Sequence, residues 1–353
     1  MDSLTHIALG SCLGTVLLGK KWGLPAVGWG LAAASLPDID AVAGPFLTLP
    51  EELIAHRGIT HSFLFAFIVA AIPAAYCQHR YRNRGISLFQ FYGFFLLQIV
   101  IHDLLDTCNA YGTGLLEPFS AARFSFHNLY VADPLISIWI IAAAVIILLN
   151  RRNFKRQLNA ARVGLGLMIF FLCISVINKL VVKSFFEKSL RSQAISPTDY
   201  FITPTPFNSL LWYAVAKSPD GYHIGHLSVF DDKSEPVPLT FFPQNDSLLS
   251  AFPERSDISD LKRFADDFYT VEKWNDTLVF NVLRFGQMIG WQQPKAHFAF
   301  YYFLDENHSN DLVVQRGRFE GWNRQTLGFM LRRIGGSIED FGDRLDDKKK
   351  PAQ

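Results

Sequence analysis

The sequence predicts a membrane protein in two parts: an all-α helical N-terminal membrane half with about six hydrophobic segments, and a smaller strand-rich α+β soluble C-terminal domain. Of the 353 residues, 50% are apolar and 18% are charged, a low charged share for a soluble chain. The long apolar runs are concentrated before residue 183, and after about Lys188 short runs alternate with Pro, Asp, Asn and Gly, which is typical of strands. We therefore expect a membrane domain over 1–188 and an extracytoplasmic domain over 189–353.

The membrane half contains six apolar runs. The first two are short and rich in Gly and Ala, whereas a simple span needs about 20 residues. They favour either tilted helices packed closely through small residues or a re-entrant hairpin buried by the other helices. The last four runs are predicted more strongly than the first two to be membrane-spanning helices. In order, the runs cover residues 4–19, 22–36, 62–77, 88–105, 134–149 and 163–182.

The second half contains four strand-like runs, at 210–216, 222–230, 277–285 and 297–304, and a final helix is expected near 326–344. Four histidines occur in this half, with no spacing that indicates a metal site, so we interpret them as ordinary strand or loop residues. They are His223, His226, His297 and His308.

The distribution of lysine and arginine predicts the orientation of the spans, because these residues are retained on the cytoplasmic side. Threading six spans alternately leaves only Arg57 and Arg123 on one side. That side is predicted to be extracytoplasmic, together with the loops 37–61 and 106–133 and the C-terminal domain. The other side receives ten basic residues: Lys20, Lys21, Arg80, Arg82, Arg84, Arg151, Arg152, Lys155, Arg156 and Arg162. The sequence therefore predicts a multi-pass protein of the cytoplasmic (inner) membrane.

Composition argues against several other classes. The net charge of +1 gives no basic surface for nucleic acid. The four cysteines form no C-x-x-C pair, so neither a disulfide framework nor a cysteine zinc site is expected. The N-terminus has no basic region typical of a cleaved signal peptide. The G-x-S-x-G motif of serine hydrolases is also absent from the sequence. The sequence makes no prediction about the oligomeric state.

Histidines and aspartates from separate segments converge at the predicted outer face. Ionisable groups at membrane depth are costly and usually functional, so the convergence predicts a metal site. In "LPDID", Pro37 ends the second segment and an extended stretch is expected to present Asp38 and Asp40 to a cation. His6 lies at the outer end of the first segment, and Asp133 precedes the fifth.

The stretch "HRGITHS" (56–62) can supply two imidazoles to the same site. His56 comes from the loop, and Thr60 is expected to cap the following helix. His61 would then lie in the first turn of that helix, where the helix N-terminus favours a neutral, ligating imidazole. Arg57 is a candidate catalytic residue that stabilises a developing anion; an equally good interpretation is a lipid-phosphate anchor.

The stretch "HDLLD" (102–106) ends the fourth apolar run. His102 and Asp106 are four residues apart, so on a helix they share one face. Asp103 points elsewhere and is expected to orient a ligating imidazole; it is the second candidate catalytic residue. A His and Asp ligand set without sulfur favours Zn²⁺, with Mn²⁺ or Fe as alternatives, and this many ligands suit two or more ions.

The motifs "MDSLTHIALG", "SLPDID", "HRGITHS", "HDLLDTCNAYGTGLLEPF" and "VADP", over residues 1–135, resemble the YdjM-type family of predicted inner-membrane metal-dependent hydrolases. The family is similar to helical zinc-dependent phospholipases C and nucleases, which use clustered metals on phosphodiesters. Cys108 and Asn109, in "DTCNAYGTG", depart from the expected pattern of other small or polar residues. The resemblance implies ligands at His6, Asp38, Asp40, His56, His61, His102 and Asp106, and less directly at Asp133.

These observations predict a membrane-bound metal-dependent hydrolase that acts on a phosphoester, with a lipid or lipid-linked phosphodiester as the favoured substrate class. Two other classes stay open. A metal transporter or channel would have its ligands along a path through the membrane. Against this class, the helix interiors between the clusters carry no further charges. An envelope structural or interaction protein would use the metal only to staple its helices.

Overall fold

A computed structural model describes residues 2–251, 256–305, 310 and 321–337. The chain divides into two compact units. The helical unit comprises residues 1–177 with 206–208, and the strand-rich unit comprises 178–205 with 209–353. The predicted fold class, with a helical N-terminal half and a strand-rich C-terminal part, is confirmed.

All six predicted apolar segments fall in helices. They are α1 (Ser3–Trp22), α2 (Leu24–Ala33), the pair α4 (Phe63–Val69) and α5 (Ala71–Arg80), α6 (Leu88–Asp106), α7 (Pro134–Leu149) and α8 (Phe154–Ser192), with a short α3 (Leu49–Ala55) in the loop after α2. Within the described residues, three of these stretches are long and apolar enough to cross a membrane: Phe63–Arg80, Leu88–Asp106 and Phe154–Ser192. The structure thus supports three strong spans rather than six.

Helices α1 and α2 pack together through glycine. A Cβ atom on Gly10 or Gly14 of α1 would lie well inside 3.0 Å of the backbone carbonyl of Gly30 or Ala26, respectively, on α2. Only residues without a side chain permit two helix backbones to approach so closely. The predicted close packing of these two segments through small residues is therefore observed; it occurs in both arrangements that the sequence left open, tilted helices and a re-entrant hairpin.

The strand-rich unit contains two antiparallel sheets. The first has the order β1 (Asp199–Pro204), β2 (Leu211–Ser218), β3 (Gly221–Ser228) and β4 (Thr240–Pro243), and the second has β5 (Tyr269–Trp274), β6 (Thr277–Val282) and β7 (Tyr301–Phe303). The two-residue turn between Ser218 and Gly221 fixes the β2–β3 register. Helices α9 (Ser256–Ala265) and α10 (Arg324–Ile334) complete the unit.

The four predicted strand runs correspond to β2, β3, β6 and β7, and the last is much shorter than its run. Strands β1, β4 and β5 were not predicted. Strands β1 and β4 are edge strands that include prolines, Pro204 and Pro243, and proline weakens a strand pattern. The predicted final helix is observed as α10; its predicted continuation over 338–344 lies outside the described residues, as does His308.

The core of the first sheet forms against the end of α8. Phe186 and Val182 from this helix pack with Ile202, Trp212 and Ala214 of the strands, all buried. On the same unit, α10 is attached by a buried ion pair. Arg333 contacts both carboxylate oxygens of Asp231, and Asp231 Oδ2 also accepts from the backbone N–H of Ser228 at 2.8 Å.

Candidate metal centre

The "PDID" segment forms a 3₁₀-helix over Pro37–Val42, so the extended stretch predicted there was wrong. Its two carboxylates approach His61 at different ring nitrogens. Asp38 Oδ1 lies 3.7 Å from His61 Nε2 and 3.6 Å from His102 Nε2. Asp40 Oδ2 lies 3.7 Å from His61 Nδ1 and 3.1 Å from His56 Nδ1. Both aspartates therefore lie beside His61; Asp38 also reaches His102, and Asp40 also binds the loop at His56.

The "HRGITHS" segment turns sharply before α4. Arg57 has a positive φ of 59°, and a 3₁₀ turn over Ile59–His61 follows. The N-cap of α4 is Ser62, whose hydroxyl accepts from the N–H of Phe65 at 3.1 Å, and not Thr60 as predicted. Thr60 Oγ1 lies 3.1 Å from His61 Nδ1 instead, so this hydroxyl orients the imidazole that precedes the helix.

Helix α6 presents His102 and Asp106 on one face, as the four-residue spacing predicted. His102 Nε2 lies 3.6 Å from Asp106 Oδ2. The other ring nitrogen, Nδ1, lies 2.6 Å from the backbone carbonyl oxygen of Ala34. Because a carbonyl only accepts hydrogen bonds, Nδ1 carries the proton and Nε2 presents its lone pair to Asp38, His61 and Asp106.

Four ligand atoms lie close to one another, and we call them the four-atom cluster: Nε2 of His61, Nε2 of His102, Oδ1 of Asp38 and Oδ2 of Asp106. The two nitrogens are 3.3 Å apart, and each lies 3.6 or 3.7 Å from each of the two oxygens. Tetrahedral ligands at about 2.0–2.2 Å from zinc are separated from one another by roughly 3.3–3.6 Å. The nitrogen–nitrogen and nitrogen–oxygen separations are therefore close to those of zinc ligands. One ligand atom each from Asp38, His61 and His102 lies within 4.8 Å of the other two, close enough to hold an ion.

His6 enters the same centre from α1. Its ring stacks on His102 with centroids 3.7 Å apart, and its Nε2 lies 3.1 Å from Asp106 Oδ1. The side chains of His6, His102 and Asp106 are buried and also lie close enough together to hold an ion. This second group shares two residues with the four-atom cluster, so Asp106 has one oxygen directed to each.

Arg57 contacts one of the ligand carboxylates, that of Asp106. Its Nε lies 3.1 Å from Asp106 Oδ2, and its Nη1 donates to Asn109 Oδ1 at 2.8 Å. The guanidinium also lies 5.1 Å from the centre of the Tyr111 ring. The side chain is buried, and these contacts hold its charge in a fixed position beside the ligand carboxylate.

The protonation states of the loop residues favour cation binding. Burial lowers the pKa of His61 to about 4, despite the nearby Asp38, so its imidazole is neutral at neutral pH. Burial lowers the pKa of Arg57 to about 10, which leaves it charged. Burial opposes ionisation of Asp40, but hydrogen bonds from His56 and from the N–H of Arg57 lower its pKa overall. The loops thus combine a neutral ligand with an anionic support.

Two predicted site residues lie apart from the cluster contacts. Asp133 caps α7, accepting from the N–H of Leu135 at 2.9 Å. Asp103 is fully buried, and its carboxylate oxygens have no hydrogen-bond partner among the described residues. The structure therefore does not bring Asp103 to a ligating imidazole; the carbonyl of Ala34 bonds His102 instead. His56 and Asp40 contact each other at the edge of the centre.

Three contributors to the site were not identified from the sequence. The Ala34 carbonyl is a backbone group, for which side-chain patterns carry no signal. Asn109, noted only as a departure from the family pattern, is buried and holds Arg57. Arg123 Nη1 donates to the His56 carbonyl at 2.9 Å, and its Nη2 contacts that of Ile54. The sequence did offer one signal for Arg123: it is one of only two basic residues on the predicted extracytoplasmic side.

Comparisons with known proteins match the part of the chain that carries these residues. Residues 1–182 match the model of the YdjM inner membrane protein family. The inner membrane protein YbcI of Escherichia coli (strain K12) is 32% identical over 123 residues, which are 34% of this chain and 69% of YbcI. The uncharacterized protein YfhP of Bacillus subtilis (strain 168) is 24% identical over 349 residues, covering 91% of this chain and 95% of YfhP. No solved structure matches the chain. The family and the names of these relatives support a multi-pass location in the cytoplasmic membrane.

Proposed function

This chain belongs to the YdjM inner membrane protein family, and from that premise we propose that it is a membrane-bound metal-dependent hydrolase. The observation that supports this most strongly is the four-atom cluster, in which two imidazole nitrogens lie 3.3 Å apart and each lies 3.6 or 3.7 Å from two carboxylate oxygens, close to the separations of zinc ligands. His61, His102, Asp38 and Asp106 would hold the ion, with Zn²⁺ favoured over Mn²⁺ or Fe. A second ion would take His6 and Oδ1 of Asp106. His102 would ligate only one of the two ions, because its Nδ1 is protonated and Nε2 has a single lone pair.

The ion would supply an activated water and polarisation of a phosphoester. The residues around it have separate tasks. Asp38, with 28% of its side chain exposed, leaves one side of the cluster open to a substrate. Arg57 places a fixed positive charge beside the cluster, where it stabilises a developing anion. Asp40 and His56 hold the backbone of Arg57 in its unusual conformation. Asp103 stays the second catalytic candidate, as a buried carboxylate next to His102.

A lipid or lipid-linked phosphoester is the substrate class that the surroundings favour. Large apolar side chains are exposed on the segments that carry the ligands: Ile39 lies between the two aspartates, and Ile59 lies between Arg57 and His61. Val42 and Phe46 extend this exposed apolar surface. Exposed apolar patches mark contact with membranes or apolar ligands. We therefore propose that the site opens at the membrane surface, on the extracytoplasmic side. The C-terminal domain is proposed to lie on the same side of the membrane.

The orientation has its own test. A Phe230→Cys variant places a thiol at an exposed position of the strand-rich unit. Labelling of intact cells by a membrane-impermeant thiol reagent is expected, because the distribution of basic residues predicts this unit outside. Protection of Cys at this position until the cells are lysed would contradict the orientation.

Metal content tests the site directly. Purified wild-type protein should contain a stoichiometric transition metal by elemental mass spectrometry, one or two ions per chain. Asp38→Asn and His61→Ala should lose it and should lose hydrolysis of bis(p-nitrophenyl) phosphate. His79→Ala is the matched control, because His79 lies exposed near the end of α5. A wild-type protein without metal, or a His61→Ala variant with wild-type metal content, would refute the metal site.

A metal staple is the second candidate, because four protein ligands are typical of closed structural zinc sites. The two functions differ in what the ligand variants lose. A staple predicts a bound metal and a loss of stability in His61→Ala, with no turnover by the wild-type protein. Transport would instead appear as metal flux in proteoliposomes.

A further inference from the structure

A cavity of about 480 Å³ lies between α2, the α4–α5 pair and α6. Its wall is made of aliphatic and aromatic side chains, which include Trp29, Ala32, Leu36, Ile72, Tyr76 and Phe95. Ile72 and Tyr76 are exposed at the rim, whereas Phe95 is fully buried at the floor. The volume lies within the range of about 300–1,000 Å³ typical of small-molecule sites. An apolar ligand can thus enter from the side of the helices.

Two chain segments connect the wall of the cavity to residues of the metal centre. Leu36 in its wall lies two residues before Asp38, and Ala33 in its wall precedes Ala34, whose carbonyl holds His102. On α6, Phe95 and His102 are seven residues apart, which corresponds to about 10 Å along the helix axis. The two residues are nearly two full turns apart and so lie on almost the same face of α6.

The metal centre and the cavity lie at different depths along α6, in the same order as the headgroup and the hydrocarbon chains of a lipid. His102 and Asp106 lie in the last turns of α6, a helix long and apolar enough to span a membrane, and Phe95 lies near its middle. The metal centre is therefore at the level of headgroups and the cavity at the level of hydrocarbon chains. A phospholipid has its phosphoester and its chains in the same order and at a similar separation.

We propose that this cavity binds a hydrocarbon chain of the lipid whose phosphoester reaches the four-atom cluster. The inference rests on the proposed function and narrows its substrate to a lipid with a long chain. Lipids that merely surround the helices would cover the exposed residues of α7 and α8 as well. The concave wall, which includes Leu36 two residues before Asp38, instead holds one chain in a defined position relative to the metal ligands.

The test compares two chromogenic phosphodiesters, bis(p-nitrophenyl) phosphate and hexadecyl p-nitrophenyl phosphate, with protein in lipid nanodiscs. Ala32→Trp fills the cavity from its exposed rim, and Ala142→Trp places the same side chain on an exposed position of α7. The ratio of KM for the hexadecyl ester to KM for the short ester should rise roughly tenfold in Ala32→Trp, since only the long chain needs the cavity. The Ala142→Trp ratio should equal that of the wild type.

An equal ratio in both variants would overturn the inference and leave the hydrolase proposal intact. If the wild type hydrolyses neither ester, the hydrolase proposal fails, and a binding measurement then decides on the cavity alone. A phospholipid with a diazirine in a 16-carbon chain should label the peptide that contains Ile72. Loss of this label in Ala32→Trp but not in Ala142→Trp supports the cavity, and undiminished labelling refutes it.

Discussion

Both halves of the molecule bury charged side chains, but they satisfy them differently. In the strand-rich unit, Arg333 contacts both oxygens of Asp231, and a backbone N–H also donates to this carboxylate. In the helical unit, His6 Nδ1, Asp40 Oδ1 and both oxygens of Asp103 have no hydrogen-bond partner among the described residues. Buried polar groups are normally paired. The complete pair has a structural role. These unpaired atoms of the helical unit belong to His6 or to residues in the segments that carry the four-atom cluster, and the ligand atoms of that cluster suit a cation.

Breaking the complete pair should have the largest effect. Arg333→Ala leaves the buried Asp231 without its charged partner, which costs about 3–5 kcal/mol of the free energy of unfolding. Metal content should stay at the wild-type level. Thermal unfolding with elemental mass spectrometry measures both quantities. The neighbouring exposed Arg332→Ala is the control, with a change below about 1 kcal/mol. A stable Arg333→Ala protein would remove the contrast between the two regions.

Metal removal should act on the other region. An ion present at about 1,000 times its dissociation constant stabilises the folded state by about 4 kcal/mol. Adding Zn²⁺ to chelator-treated protein should therefore raise the unfolding temperature of the wild type. Arg333→Ala should show the same increase, and His61→Ala should show none. An increase of wild-type size in His61→Ala would mean that the ion binds elsewhere.

One substitution made in both regions should have opposite signs. Asp231→Asn weakens a satisfied pair and should destabilise the protein by about 1–3 kcal/mol. Asp103→Asn removes a buried carboxylate that lacks a partner and should stabilise the metal-free protein by about 1 kcal/mol. Urea unfolding of both variants in the same detergent provides the comparison. Destabilisation by Asp103→Asn would indicate that this carboxylate has a partner in the folded protein.

The site could be predicted from the sequence where local periodicity determines which residues meet. His102 and Asp106 share a face because a helix has 3.6 residues per turn, and the predicted contact is observed. The sequence did not reveal that "PDID" winds as a 3₁₀-helix, which separates Asp38 from Asp40. It also did not distinguish Thr60 from Ser62 as the cap, because both hydroxyls suit the role and only the backbone at Ser62 is extended.

For the fold as well, features that depend on local sequence were predicted, and features that depend on distant residues were not. The strongly apolar segments and the strands with clear turns at both ends were predicted, whereas the edge strands β1 and β4 depend on pairing with distant residues. Contributions from the backbone, such as the Ala34 carbonyl that fixes the tautomer of His102, have no signature in the side-chain pattern. Tertiary packing determines them.

The close contact between α1 and α2 determines how precisely the metal ligands are positioned. His6 lies four residues, about one turn, before Gly10, and a Cβ atom on Gly10 would come within 2.6 Å of the Cβ of Ala34. Metal–ligand distances tolerate deviations of about 0.2 Å. One added methyl group would move the helices that position His6 and His102 by more than that. Substitution of a glycine that binds nothing would thus lower metal affinity while every ligand remains in the chain.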